Sequence, residues 1–291
     1  MKKNRLMPTW IFSIILLLYI IYALCDAFVI PKNIHEAPQL ENNDNKSISI
    51  VSITDTSYES DDISINITKL RKYDTDIYVV DIVLDNINSL RAGLAKNSFG
   101  RNITQTTSVM AENNNAILAI NGDYYGFRDE GIVMRNRYLY RKEPRAGEDA
   151  LVIYDNGDVK TMKETDIDVT DVANVLHIFS FGPALLSDGK VMVNNDSEVE
   201  NHMASNPRTA FGMIEPLHYI WIVSDGRTDE SKGLSLVQLA EIFENYNCSE
   251  AYNLDGGGSS TMWFNGKIVN FPTSGWSDGE RSVSDIVYIG E

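Results

Sequence analysis

The chain has 291 residues, 41 acidic against 25 basic, and a formal net charge of −16. That length suffices for one sizeable domain with a full core, or two small ones. The acidic balance argues against nucleic acid as a partner, because phosphate backbones are bound by Lys/Arg patches.

Lys2, Lys3 and Arg5 precede an almost uncharged run, residues 10–30, broken only by Asp26. Such a run spans a bilayer as one helix. The basic flank stays on the cytoplasmic side by the positive-inside tendency, which places the rest of the chain outside. A cleaved signal peptide competes with this anchor, but Ala23-Leu24-Cys25 is a poor cleavage match. Cys25 falls inside the apolar run, so no disulfide with Cys248 is expected, and Cys248 has no nearby His to make a reactive thiol. His35, His177, His202 and His218 show no metal-ligand spacing. The divisions are therefore a membrane anchor or signal segment at 1–30, a polar, flexible stalk at 31–46 and a catalytic-sized domain at 47–291.

Within that domain, residues 47–54 and 63–70 alternate as half-buried strands do, and 76–84 is a denser β-branched run expected to be a central strand. A short helix is expected at 104–115, turning Val109 and Met110 inward, followed by a buried strand at 116–120. Asp155-Asn156-Gly157-Asp158 predicts a hairpin between strands at 150–154 and 159–162. A strand over 177–186 turns at 187–190 into 191–193, and 209–214 pairs with 218–223. Residues 235–246 carry a capping box, Ser235 with Gln238, and an apolar stripe of Leu236, Leu239, Ala240 and Phe243, the marks of an amphipathic helix. Strands at 251–254, 261–264, 267–271 and 283–289 close the chain, with a hairpin turn at Asn265-Gly266. Many short strands and few helices, without regular β-α alternation, predict an α+β fold. Its sheet is expected to be mixed but largely antiparallel, preceded by one N-terminal transmembrane helix.

The least ordinary stretch is Asn253-Leu254-Asp255-Gly256-Gly257-Gly258-Ser259-Ser260-Thr261, between two apolar runs. A β-turn needs one or two glycines; three in a row imply close backbone approach or positive φ. Backbone amides beside hydroxyls make a cradle for phosphate or sugar oxygens. The stretch lacks the Lys-Ser/Thr ending of a Walker A loop. Three further clusters also stand where an apolar run gives way to polar residues: Asn121-Gly122-Asp123, Asn206-Pro207-Arg208-Thr209 and Ser224-Asp225-Gly226-Arg227. Each has a plain alternative as a turn or an ion pair. Together they offer Asp123, Asp225, Asp255, Arg208 and Arg227. Arginine forks suit phosphate, paired carboxylates suit glycosidic cleavage, and carboxylates with Asn suit a divalent cation.

These motifs, with Glu280-Arg281 before the last strand, resemble the phosphodiester glycosidase family over about residues 47–289. Bacterial members are described as exopolysaccharide-related. The resemblance implies an extracytoplasmic, membrane-anchored hydrolase that cleaves the glycosidic bond of sugar-1-phosphodiesters, for example those of N-acetylglucosamine-1-phosphate, in cell-surface glycopolymers. It implies Arg208 and Arg227 on the phosphate, and Asp225 or Asp255 activating water or stabilising the cationic sugar. Asn121, Gly122, Asp123, Thr209, Gly256, Gly257, Gly258, Ser259 and Ser260 are the candidate substrate-binding residues. Asp123-Tyr124 stands where relatives often carry Gly-Phe, so Asp123 is not expected to be a shared catalytic acid; Phe181-Gly182-Pro183 stands for Gly-Gly-Pro. No cofactor is required by this chemistry, and a divalent cation is left open. The competing readings are a non-catalytic module binding an anionic glycopolymer and a metal-dependent phosphodiesterase.

Overall fold

β-Branched and aromatic residues crowd the longest strands, and their pairing sets the architecture of the computed structural model, which describes residues 9–38, 50–197, 205–274 and 277–290. A nine-stranded sheet runs, edge to edge, through Lys190–Val191, Ala184–Ser187, Glu250–Asn253, Arg208–Glu215, His218–Ser224, Thr75–Leu84, Ile63–Lys72, Ser57–Ser60 and Ile50–Ile53. A five-stranded sheet runs through Lys267–Ile268, Met262–Phe264, Leu118–Asn121, Asp285–Ile289 and Leu90–Leu94. Another of five strands runs through Tyr138–Arg141, Val133–Arg135, Val175–Phe179, Asp149–Tyr154 and Val159–Lys163. Every strand pairing among the described residues is antiparallel, and three α-helices accompany them: an α+β fold.

The three sheets enclose one core. Val80, Phe211, Trp221 and Tyr252 from the large sheet meet Leu118, Met262 and Val287 from the second and Leu151, Leu176 and Phe179 from the third. On its other face the large sheet is covered by a helix at Leu236–Asn245, whose Leu239, Ala240 and Phe243 pack on Ile77, Val79, Ile220 and Ala251. Strand Thr75–Leu84 is therefore buried on both sides over residues 77–80, the unbroken apolar part of its run, and alternates from Asp81 on, where Asp81 and Val83 are exposed. The predicted capping box is formed: Gln238 N donates to Ser235 Oγ at 3.1 Å and Ser235 N to Gln238 Oε1 at 2.9 Å. A second short helix, Thr107–Asn113, covers the back of the five-stranded sheet. Its Met110 is buried, but Val109 is 39 % exposed, so only one of the pair turns inward.

The predicted hairpins at Asn156-Gly157, at 209–223 and at Asn265-Gly266 are present. Other expectations are corrected. Residues 177–186 are not one strand: Val175–Phe179 ends in the third sheet, and Ala184–Ser187 begins in the large one after the cis Gly182-Pro183 bond. The strand expected over 267–271 stops at Ile268, because Asn270 and Phe271 bond to the loops of the site instead.

Nor is 31–46 uniformly a flexible stalk. Lys32–Glu36 forms a strand antiparallel to Ser98–Arg101, with the His35 ring stacked on Phe99; residues 39–46 lie outside the described residues. Before it, a helix labelled α1, Thr9–Phe28, is long and apolar enough to cross a membrane, as a signal sequence also is, and its apolar side chains are exposed. The basic flank, residues 2–5, lies outside the described residues.

Candidate active site

Strand register places the polar clusters at one rim. Arg208 pairs with Ser224, Ser224 with Ile77 and Ala210 with Asn253, so strands of the large sheet begin or end together there. In the five-stranded sheet Met262 pairs with Ile120 and Ile286 with Asn121, so its strand ends meet the same rim. The glycine stretch is the crossing between the two sheets, running from Asn253 in one to Met262 in the other. It is not a hairpin turn; strand-to-strand passage between layers is what the extra glycines accommodate.

Asn121 holds this crossing at both ends. Its Nδ2 donates to Asp255 O at 2.6 Å, and its Oδ1 accepts from Thr261 N at 3.2 Å and from Thr209 Oγ1 at 2.7 Å. Asp255 N donates to Gly122 O at 3.2 Å, and Gly257 N to Pro207 O at 2.8 Å. Asn121, Gly122 and Thr209 are thus brought to the site as its frame, with backbone and amide groups occupied by that frame.

Gly257 has φ +62°, a conformation costly to other residues, and a Cβ there would lie 2.8 Å from the Arg227 guanidinium. A Cβ on Gly258 would lie 2.6 Å from the Arg281 guanidinium. Two cations therefore press on adjacent glycines. Arg227 Nε and Nη2 donate to Asn206 Oδ1 at 3.1 and 2.8 Å, which fixes the fork against the loop. Burial and then the like charge of Arg281 lower the Arg227 pKa, an arrangement that favours an anion near both. Arg208 lies beside Gly256, its Nε donating to Leu234 O at 2.9 Å.

The carboxylates separate. Asp255 is half-buried in the loop, and burial pushes it up to about 6, against a hydrogen bond with Ser259, the charge of Arg281 and the Gly256 amide. Asp225 is buried and its carboxylate is taken up by the fold: it accepts from Phe271 N at 2.7 Å and from Tyr78 OH at 3.4 Å. Burial raises it, opposed by Phe271 N and Asn270. Asn270 in turn donates to Ser260 O at 3.0 Å, so Asp225 sits one layer behind the loop. Ser260 Oγ and Thr261 Oγ1 are buried and have no hydrogen-bond partner among the described residues. Buried hydroxyls are rarely left so unless another group completes them.

Asp123 is a member of a buried ion network. It pairs with Arg128 and Arg135, and accepts from Tyr124 N and from Ser180 N at 2.9 Å. Burial raises its pKa, but Arg128 and Arg135 outweigh that and hold it below the usual range. Arg135 also pairs with Asp285 at 2.7 Å, and Asp285 accepts from Asp123 N at 2.8 Å. All the capacity of Asp123 is used in the fold. Among the described residues no group of three or more His, Cys, Asp or Glu side chains is placed to hold a metal ion.

Arg281 carries part of the sequence resemblance but is not among the candidate site residues drawn from it. Like Arg208, which heads Arg208–Glu215, it stands ahead of a strand, Asp285–Ile289. Its place is set by Arg281 N donating to Gly258 O at 3.3 Å and by Glu280, whose carboxylate accepts from Ser108 N at 2.9 Å and from Ser108 Oγ at the start of helix Thr107–Asn113. A Glu-Arg pair just ahead of a buried strand is the signal that marks it.

Residues 114–290 match the sequence profile of the family described as Phosphodiester glycosidase. The chain is 31% identical over 201 residues to the SPbeta prophage-derived uncharacterized protein YomE of Bacillus subtilis (strain 168), a match covering 66% of this chain and 30% of that protein. It is 30% identical over 125 residues to the mouse N-acetylglucosamine-1-phosphodiester alpha-N-acetylglucosaminidase, covering 37% of this chain and 24% of that enzyme. The matched region is thus under a third of either relative's length. The fold is similar to that of the zebrafish N-acetylglucosamine-1-phosphodiester alpha-N-acetylglucosaminidase catalytic domain auto-inhibited by its pro-peptide, with TM-score 0.63, 19% identity, and 90% and 89% of the two chains covered.

Proposed function

We propose, since this chain belongs to the phosphodiester glycosidase family, that it hydrolyses the glycosidic bond of sugar-1-phosphodiesters at the glycine crossing. The observation that carries the reading is the half-buried Asp255, which feels the charge of Arg281, on a loop where the Arg227 and Arg281 guanidiniums press on Gly257 and Gly258. A phosphodiester is a diffuse anion, and two arginine forks on adjacent glycines are chemistry matched to its oxygens. The chain's overall charge of −16 makes this local gathering of cations the more pointed.

In the reaction, water attacks the anomeric carbon and the bond from that carbon to the phosphate oxygen breaks. Asp255 takes the proton from the water as the new C–O bond forms. The phosphate leaves with the bonding pair as a monoester, and Arg227 and Arg281 stabilise the charge that grows on it. A phosphate is a weak base, so the departing oxygen needs no proton donor of its own. Asp225 serves from behind, holding Phe271 and Asn270 against the loop. Arg208 lies beside Gly256, anchored through Nε to Leu234 O. The apolar α1 and the basic residues before it support a reading in which the domain stands outside the membrane on a single-pass anchor, with cell-surface sugar-phosphate polymers or lipids as the substrate class.

Turnover of a sugar-1-phosphodiester in isotopically labelled water tests the bond that is cut. Label is expected on the sugar; label on phosphorus overturns the reading in favour of a phosphodiesterase, and binding without turnover overturns it in favour of a binding module. Arg281→Lys keeps the charge and loses the fork, so turnover is expected to fall by about 10²-fold, in the range seen when one transition-state donor is removed. An unchanged rate would remove Arg281 from the site.

A further inference from the structure

We infer that the substrate is held in the membrane itself: a sugar-1-phosphodiester of a long-chain lipid alcohol, presented to the site at headgroup depth. This rests on the hydrolase reading above and adds where its substrate lies.

The inference comes from how α1 joins the domain. The helix ends with Val29 N and Ile30 N on Cys25 O at 2.8 and 2.7 Å, and Lys32 Nζ pairs with Asp26 at 2.5 Å. After only three residues beyond Phe28 the chain is already in a strand, Lys32–Glu36, paired with Ser98–Arg101. Asn102, next along, donates from Nδ2 to Ala27 O at 3.2 Å and to Ile30 O at 3.0 Å, so the domain grips the last turn of the helix directly. A helix whose exposed apolar side chains fill a bilayer thus carries the domain against the bilayer surface, without slack.

The same grip leads to the site. Asn102 N donates to Gly126 O at 3.0 Å, and Gly126 belongs to the loop that begins at Gly122, whose carbonyl accepts from Asp255 N. Four residues of chain reach at most about 14 Å, and the hydrogen-bonded steps at each end keep Asp255 within about 25–30 Å of the helix terminus. The real separation is shorter, since Tyr125–Phe127 is wound into a 3-10 turn. Between the two points the loop turns one aromatic ring outward: Tyr124 is 41 % exposed and stacks at 4.8 Å between centroids on the half-buried Phe127. Aromatic rings with a polar tip settle at the membrane–water boundary. The order helix end, aromatic pair, glycine crossing is the order an amphiphile with a lipid chain, a phosphate and a sugar would need. A phosphodiester within a wall polymer has no use for the first two.

The test uses the full-length protein in phosphatidylcholine vesicles. Two probes are offered: a sugar-1-phosphate diester of a long-chain lipid alcohol embedded in those vesicles, and the same sugar-1-phosphate as a diester of a short, water-soluble alcohol. Release of free sugar is measured for both. The embedded probe is expected to turn over at least about tenfold faster at equal bulk concentration, because enzyme and substrate share one surface. A twenty-residue Gly/Ser insertion between Ile30 and Pro31, with a span of about 25 Å, should lower that ratio several-fold while leaving the soluble probe unaffected. Asn102→Ala should move the ratio the same way, and soluble-probe turnover in each variant shows that the site is folded. Equal rates on the two probes, or a ratio that neither variant changes, overturns the inference while the hydrolase reading stands. Recovery from cells of mature protein lacking residues 1–30 also overturns it. Turnover of neither probe overturns both.

Discussion

At the residue scale, Asp255 is where charge, burial and chemistry meet. An exposed aspartate titrates near about 3.9, whereas burial raises Asp255 to about 6. The sign follows from which state holds the proton. Between those values the folded state binds it more tightly than the unfolded one, so this residue's contribution to stability declines as pH rises from about 4 to about 6 and is level above. Asp255→Asn removes the charge that burial disfavours. The variant is expected to lose turnover and yet to melt no lower than the unaltered protein at about pH 7.5, as judged by calorimetry. Melting several degrees lower would mean that the carboxylate holds the loop together. For the unaltered protein kcat/KM should fall as pH drops through about 6, where the base takes up its proton. Asp225 teaches the complementary lesson. By residue type and neighbours in sequence it is as good a catalytic carboxylate as Asp255, and only its partners, Phe271 and Tyr78, reveal that it faces inward.

At the scale of elements, periodicity is legible where an element is amphipathic and obscure where it is short. The helix Leu236–Asn245 announces itself through its cap and stripe, and Leu239 is fully buried against the large sheet. Leu239→Ala should cost about 2–5 kcal/mol in denaturant unfolding, and a change within about ±0.5 kcal/mol would place the stripe in water. Residues 177–186 read as a single apolar run because a strand ending in one sheet and a strand beginning in another are equally apolar; nothing local marks the change of layer. The glycine crossing is the reverse case. Its composition marks it as special, but its role as a link between sheets depends on pairings to Ile120 and Ala210, far away in sequence. Arg281 is set by the Glu280–Ser108 contact, 172 residues apart, which no spacing rule anticipates.

At the scale of the molecule, the antiparallel α+β architecture and the apolar N-terminal helix are both legible from composition and pattern, whereas the edge between stalk and domain is not. The polar residues at 31–46 carry no apolar alternation, since the strand Lys32–Glu36 is mostly exposed and is held by backbone pairing to Ser98–Arg101. That pairing has a consequence for handling the protein. A chain begun at residue 47 would strip the backbone of Ser98–Arg101 of its partner and take the His35 ring, 6.3 Å between centroids, off Phe99. Unsatisfied strand edges recruit other copies. Light scattering should therefore find self-association in a protein begun at residue 47 and a monodisperse solution for one begun at residue 31; equal behaviour would make the N-terminal strand dispensable. What looks like a leash is also a stopper against stickiness.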